Sequence, residues 1–196
     1  VCQGGDTRMD TVRLNLQRLE RPAIVAVWQL PDRRYIVFTL NRKVLIGDTD
    51  ELRALLVSMM SHAGDVPVVA PLRKLAAEAV QKIVNENPLL FNGLHIVSPL
   101  GYLEFGYLTA HALGIVTDSG NVAEEATFNT VPCITLNSYT EHIETVKTGS
   151  NVLVGEDPVL LGEEMTRMVN GEWKHCGIPE RWDGRSAERI VQTLVE

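Results

Sequence analysis

Apolar positions along this chain alternate between two spacings. Met9, Val12, Leu16 and Leu19 recur every three or four residues, which predicts the buried face of a helix over about 7–20, stopped by Pro22. After a linker containing Pro31, Tyr35-Ile36-Val37-Phe38 reads as a strand, and Leu52, Leu55, Leu56 and Met59 return to helical spacing. The unit repeats. Val66-Pro67-Val68-Val69 precedes a helix over about 73–85, whose Leu75, Ala76, Ala79 and Ile83 share a face. Leu94-His95-Ile96-Val97 precedes another over about 102–112. A fourth strand, Ile115-Val116-Thr117, runs into the stretch TDSGNVAEEA at 117–126, whose second half opens a further helix. Cys133-Ile134-Thr135-Leu136 and Asn151-Val152-Leu153-Val154 supply strands five and six. Between them Ser138-Tyr139-Thr140-Glu141 has capping-box spacing and predicts a short helix ending near Gly149. Helices over about 157–170 and 185–195 close the pattern.

Short apolar strands separated by helices imply a parallel sheet covered on both faces, because parallel neighbours need crossover connections. The expected class is α/β, a doubly wound parallel six-stranded sheet of Rossmann-like type. Ligands of such sheets sit beyond the carboxyl ends of the strands, where the strand order reverses. With the common order, residues 117–126 stand at that place. Ser119 and Gly120 are expected to make the turn, leaving the N–H groups of the first helical turn bare for a phosphate, with Gly120 permitting close approach. Carboxylates in that turn would repel a phosphate, so one of Glu124 and Glu125 must look elsewhere. Either could accept the paired hydrogen bonds of a ribose 2′,3′-diol. The competing interpretation is that Asp118, Glu124 and Glu125 merely cap a surface helix, since Asp-Ser-Gly is common turn chemistry. The lack of GxGxxG and of a Walker lysine argues against a dinucleotide or ATP site.

The formal charge of −7 argues against a nucleic-acid partner, which needs a basic face to displace counterions. No apolar run approaches bilayer length and the first residues carry no export pattern, so no membrane partner and a cytoplasmic location are expected. Cys2, Cys133 and Cys176 are an odd set without a CxxC pair, which fits a reducing compartment rather than a zinc site or a disulfide framework. His62, His95, His111 and His175 share no ligand spacing, so no metal is expected.

Larger motifs then narrow the class. Asp118-Ser119-Gly120-Asn121-Val122-Ala123-Glu124-Glu125-Ala126, Val131-Pro132, Thr140-Glu141-His142-Ile143-Glu144-Thr145-Val146 with Gly149, and Leu153-Val154-Gly155 occur in that order. Together they resemble the carboxyl-terminal half of the non-hydrolysing UDP-N-acetylglucosamine 2-epimerases, which carry DSGG-x-x-EEA, TER-x-E-T-V and LVG. The similarity extends to Pro99-Leu100-Gly101-Tyr102-Leu103-Glu104-Phe105, to Val69-Ala70-Pro71, and to Gly5-Asp6-Thr7 with Asp10. The resemblance implies that 1–196 is the UDP-binding second domain of a glycosyltransferase-B-type fold, with 185–196 a terminal helix that folds back to a first domain absent here. It also implies a UDP-sugar partner, the chain's own first domain as a second partner, and a homo-oligomer as a third. The implied reaction converts UDP-N-acetylglucosamine to the manno epimer by elimination and re-addition of UDP, without a cofactor, in the service of cell-surface polysaccharide biosynthesis. By position, Ser119 and Gly120 match the diphosphate turn, Glu125 the ribose carboxylate and Phe105 the aromatic residue beside the uracil.

Departures from that pattern bear on activity. Asn41 replaces the family's catalytic histidine, so the catalytic residues are not assigned, and an amide neither shuttles a proton nor becomes a cation. Asn121 replaces the second glycine of DSGG, where a left-handed turn would admit it. Asn137 replaces an arginine, and Arg42, Lys43 or Arg73 are the candidates to restore the charge. The alternatives are a diverged silent nucleotide-sugar-binding protein and a glycosyltransferase domain of the same architecture. Trp173 and Trp182, flanking the final linker, are expected to pack at a domain boundary.

Overall fold

A computed structural model describes residues 1–195. The first segment forms α1 (Thr7–Asn15), a 3₁₀ turn (Leu16–Arg18) and α2 (Ala23–Val27). Alternation follows as β1 (Ile36–Phe38), α3 (Lys43–Gly47), α4 (Thr49–His62), β2 (Val68–Pro71), α5 (Lys74–Glu86), β3 (Leu94–Val97), α6 (Tyr102–Ala110) and β4 (Gly114–Thr117). The chain continues as α7 (Gly120–Phe128), β5 (Cys133–Thr135), α8 (Glu144–Lys147), β6 (Asn151–Leu153), α9 (Pro158–Val169) and α10 (Ser186–Val195).

All six strands are parallel, in the order β3-β2-β1-β4-β5-β6. The order reverses between β1 and β4, so the loops after these two strands part there and leave a crevice. Strand side chains alternate between two cores because successive Cβ atoms point to opposite faces. Ile36, Phe38, Val68, Ala70, Val116 and Ile134 meet α4, α5 and α9 on one side. Val37, Val69, Ile115 and Cys133 meet α2, α6 and α7 on the other. Covering both faces is why these strands read as unbroken apolar runs. No helix among the described residues is long and apolar enough to cross a membrane.

Several local expectations need correction. The helix expected over 7–20 ends at Asn15, where Leu16–Arg18 tightens into a 3₁₀ turn. Residues 21–34 are not all linker, since Pro22 starts the short α2; α3 also went unread, being too short to repeat a 3.6-residue period. The strand expected at 66–69 lies at Val68–Pro71. Pro67 keeps its carbonyl, which accepts the Ile36 N–H, but has no N–H of its own to give. No capping box forms at Ser138–Glu141: the Thr140 hydroxyl instead accepts the His142 N–H, and α8 starts only at Glu144. Trp173, partly buried, packs on the main core and donates Nε1–H to Ser150 O. Trp182 is buried and lines a hollow against the first segment.

The two ends of the chain are tied together. Asp10 accepts N–H groups from Ser186 (2.9 Å) and Ala187 (2.7 Å), capping α10 from another helix. Gly5 has φ +102°, and a Cβ there would stand 2.3 Å from Arg181 O, so the close approach of first and last segments requires glycine.

Candidate nucleotide site

Three loops form the crevice. Asp118, at the exit of β4, is 6% exposed, and its carboxylate crosses the parting to the loop after β1. Its oxygens accept the Asn41 N–H at 3.0 and 2.8 Å and the Arg42 N–H at 2.6 Å. Asn137, after β5, donates Nδ2–H to Asp118 O (3.1 Å) and accepts from Arg42 Nη1 (2.9 Å). Arg42 also donates to Leu136 O (3.1 Å) and pairs with Glu156 at 3.1 Å. The guanidinium expected to replace lost positive charge therefore spends its donors bracing loops. Lys43 and Arg73 are exposed and do not line the cavity.

Above that brace lies a cavity of about 460 Å³, lined by Gly120, Asn121, Asn137, Ser138, Thr140 and His142 among others. Ser119 is the N-cap residue of α7, with extended backbone and no capping bond from its side chain. Its own N–H is taken by Thr117 Oγ1 at 3.0 Å. Among the described residues no protein acceptor takes the N–H of Gly120, Asn121 or Val122, and the next amide, Ala123, bonds Ser119 O. Asp118, Glu124 and Glu125 thus do not cap α7, and three donors remain bare at its positive end. Asn121 is not left-handed: it is an exposed residue in the first turn of α7, so the departure from DSGG costs no backbone strain. Gly120 is right-handed too, and a Cβ on it would meet only His142 Cδ2 at 3.9 Å. Its lack of a side chain leaves open space at the cavity mouth.

The adjacent glutamates border the same recess but differ in burial and partners. Glu124 is 2% exposed, with Oε2 2.9 Å from Arg8 Nε and Oε1 2.8 Å from His142 Nδ1. The Arg8 contact is an ion pair without hydrogen-bond alignment, and Oε2 has no hydrogen-bonded partner. Burial first, then the neighbouring Asp6 carboxyl, pushes Glu124 up to about 7, while Arg8 opposes the shift. Glu125 is half-buried without an ion-pair partner among the described residues, and lines a recess of about 380 Å³ with Tyr102 and Thr11. Burial raises its pKa, and Arg8 again opposes.

Tyr102 is half-exposed at the start of α6. Phe105, one turn further on, leans on the second core. The two share a helix face. Asn41 is exposed, and its backbone, not its side chain, is what Asp118 holds. Gly120, Asn121, Arg42 and Asn137 therefore gather at one cavity and Glu125 lines the next, while Ser119, the N-cap residue of α7, and Phe105 line neither. Tyr102 and Arg8 were not read as site residues. The only available signal was an aromatic residue three positions from Phe105 and a cation near the Gly-Asp-Thr motif.

The family model described as UDP-N-acetylglucosamine 2-epimerase matches residues 1–195. The chain is 31% identical to the UDP-N-acetylglucosamine 2-epimerase of Methanocaldococcus jannaschii, over 97% of this chain and 53% of that protein. It is 29% identical to the Escherichia coli K12 protein of the same name, over 84% of this chain and 44% of that one. The M. jannaschii structure in complex with UDP-GlcNAc and UDP superposes with a TM-score of 0.76 at 31% identity, covering 99% of this chain and 54% of that one. The Neisseria meningitidis enzyme bound to UDP-GlcNAc gives 0.79 at 25% identity, over 98% and 54%. The chain spans about half the length of the relatives it matches.

Proposed function

The chain belongs to the UDP-N-acetylglucosamine 2-epimerase family, and we propose that it is the uridine-nucleotide-holding half of a nucleotide-sugar isomerase. The observation that carries this proposal is the row of unpartnered N–H groups at Gly120, Asn121 and Val122, placed at the strand-order reversal with an unpaired Glu125 beside them. In this assignment the first turn of α7 receives the diphosphate, Glu125 takes the ribose hydroxyls, and the Tyr102–Phe105 face of α6 receives the base. The M. jannaschii and N. meningitidis structures, with UDP-GlcNAc bound, support the ligand class. The reaction proposed for the whole protein is elimination of UDP and its re-addition from the other face, with the remaining acid–base groups supplied by a first domain. Ile190, Val191 and Leu194 are 44%, 58% and 79% exposed on α10, which supports that helix as the one that packs against such a domain. The cysteines Cys2, Cys133 and Cys176 are all free, which supports a cytoplasmic, reducing setting.

One observation favours a second possibility, a member that binds without converting. The Asn137 amide and the Arg42 guanidinium both give donors to the brace, which leaves fewer of them for a departing diphosphate. Calorimetric titration of this chain with UDP, and separately with N-acetylglucosamine, tests the binding half. Heat with UDP alone is expected; heat with the sugar alone would refute the assignment. A proton-exchange assay at C2 on the whole protein separates converter from silent binder.

A further inference from the structure

Three cavities meet at one side chain. His142 lines the 460 Å³ cavity, the recess beside Glu125, and a hollow of about 510 Å³ against the first segment and Trp182. Its ring is oriented by what it touches. Nδ1 lies 2.8 Å from Glu124 Oε1, while Cδ2 is the atom nearest the position a Cβ of Gly120 would take. Nε2, covalently next to Cδ2, therefore lies on the side of the bare amides of α7. Glu124 is nearly fully buried, and its second oxygen faces Arg8, so one carboxylate joins α1, α7 and the loop before α8.

We propose that Glu124 is a positioning residue for the nucleotide site: it holds His142 by Nδ1 so that the charged ring presents Nε2–H beside the donors of the first turn of α7. This role presupposes the diphosphate-binding function proposed above. The cavity has need of that charge. Among the described residues lining it only Arg42 and His142 bear basic groups, and Arg42 is committed to Glu156 and the brace. A neutral ring that donates Nδ1–H to Glu124 turns a lone pair from Nε2 toward the phosphate, whereas a charged ring turns a donor. Only the protonated ring supplies that donor, so anion affinity should fall as pH rises. Burial and Asp6 push Glu124 up to about 7, so a proton on one member of this contact pair affects the other. Other charged groups face the same hollows: Asp6 and Arg8 from the first segment, Glu125 from α7, Arg42 after β1, and Glu180 before α10. Glu141 lines the 460 Å³ cavity and, with Glu144, the 510 Å³ hollow. A change at Glu124 alone leaves all of these in place.

The test is calorimetric titration of UDP and of inorganic pyrophosphate from pH 5.5 to 8.5 into the parent chain, Glu124→Gln, His142→Gln and the double variant. In the parent, affinity should decline with pH. Glu124→Gln should move that decline to lower pH, because the ionised carboxylate that favours the charged ring is gone, with affinity at the acid end within about twofold of the parent. His142→Gln should flatten the profile, and adding Glu124→Gln to it should change nothing further. Equal weakening by Glu124→Gln at every pH, or an additional loss in the double variant, would show a structural role only and overturn the proposal. ¹⁵N chemical shifts of the His142 ring in the ligand-free parent need no variant to fold: the Nδ1–H tautomer is expected, and the Nε2–H tautomer overturns it. Pyrophosphate binding with this pH profile but no UDP binding would remove the uridine assignment and leave the positioning role standing. No anion binding at any pH would end both.

Discussion

The two walls of the crevice spend their polar groups in opposite ways. On the β1–β5 wall polar groups are mostly spent internally: Asp118 accepts two backbone N–H groups, Asn137 both donates and accepts, and Arg42 binds two acceptors and a carboxylate. On the α7 wall three N–H groups and the Glu125 carboxylate are left without protein partners among the described residues. Part-buried donors and acceptors cost free energy when unmatched, so a fold matches them unless something else does. The contrast therefore separates the wall that sets the geometry from the wall that offers itself to a ligand. It also explains how Asn137 and Asn41 can differ from the family pattern without disturbing the fold, since the brace uses the amide of one and the backbone of the other.

The strongest way to break the contrast is Asp118→Asn. The replacement keeps the shape but removes the charge that accepts the Asn41 and Arg42 N–H groups. It should lower unfolding free energy by about 1.5–3 kcal/mol, the range for hydrogen bonds to charged groups, as read by urea denaturation. A change below about 0.5 kcal/mol, typical of ordinary surface positions, would mean that the brace carries little. Next in size is Glu125→Ala, which should weaken UDP binding by roughly tenfold, near the lower end of that range, and leave the melting temperature unmoved because no protein partner is lost. A melting temperature that falls in step with affinity would place Glu125 on the bracing side instead.

Gly120→Ala sharpens the comparison with a smaller effect of opposite signs. A Cβ there has room, and alanine in a helix is favoured over glycine by roughly 0.5–1 kcal/mol, so the chain should become slightly more stable. UDP affinity should drop at the same time because the methyl intrudes on the cavity mouth. Unchanged affinity would move the phosphate elsewhere. The smallest expected effect is a pH dependence of stability from Glu124. Burial first and Asp6 second raise its pKa from 4.5 to about 7 in the folded chain. A carboxyl raised on folding binds its proton more tightly when folded, so its stabilisation is complete below about 4.5 and is lost as pH rises through about 7. Between pH 5 and 8 the melting temperature of the parent should therefore fall relative to that of Glu124→Gln. A constant difference across that window would show that Arg8 and His142 keep Glu124 ionised throughout.

Much of the fold was legible along the chain because periodicity is local. A strand buried on both faces must be apolar at successive positions, and a helix on a sheet must repeat its apolar residues every three or four, so the six strands and the long helices declare themselves. The site was legible in part, through Asp118-Ser119-Gly120 at a strand–helix junction and the family motifs around it. Ends and short pieces such as α3 and the loop after Ser138 were not, because α3 is too short to repeat a helical period and a Thr140–His142 turn takes the place of the expected cap.

Adjacent residues with identical side chains, Glu124 and Glu125, carry no local mark saying which turns inward. That choice, like the pairing of Asp118 with a loop 76 residues earlier and of Arg42 with one 95 residues later, exists only once strands distant in sequence lie side by side. Pattern sets which segments pack. Hydrogen bonding between segments brought together by packing sets which polar groups are used up and which stay open for chemistry.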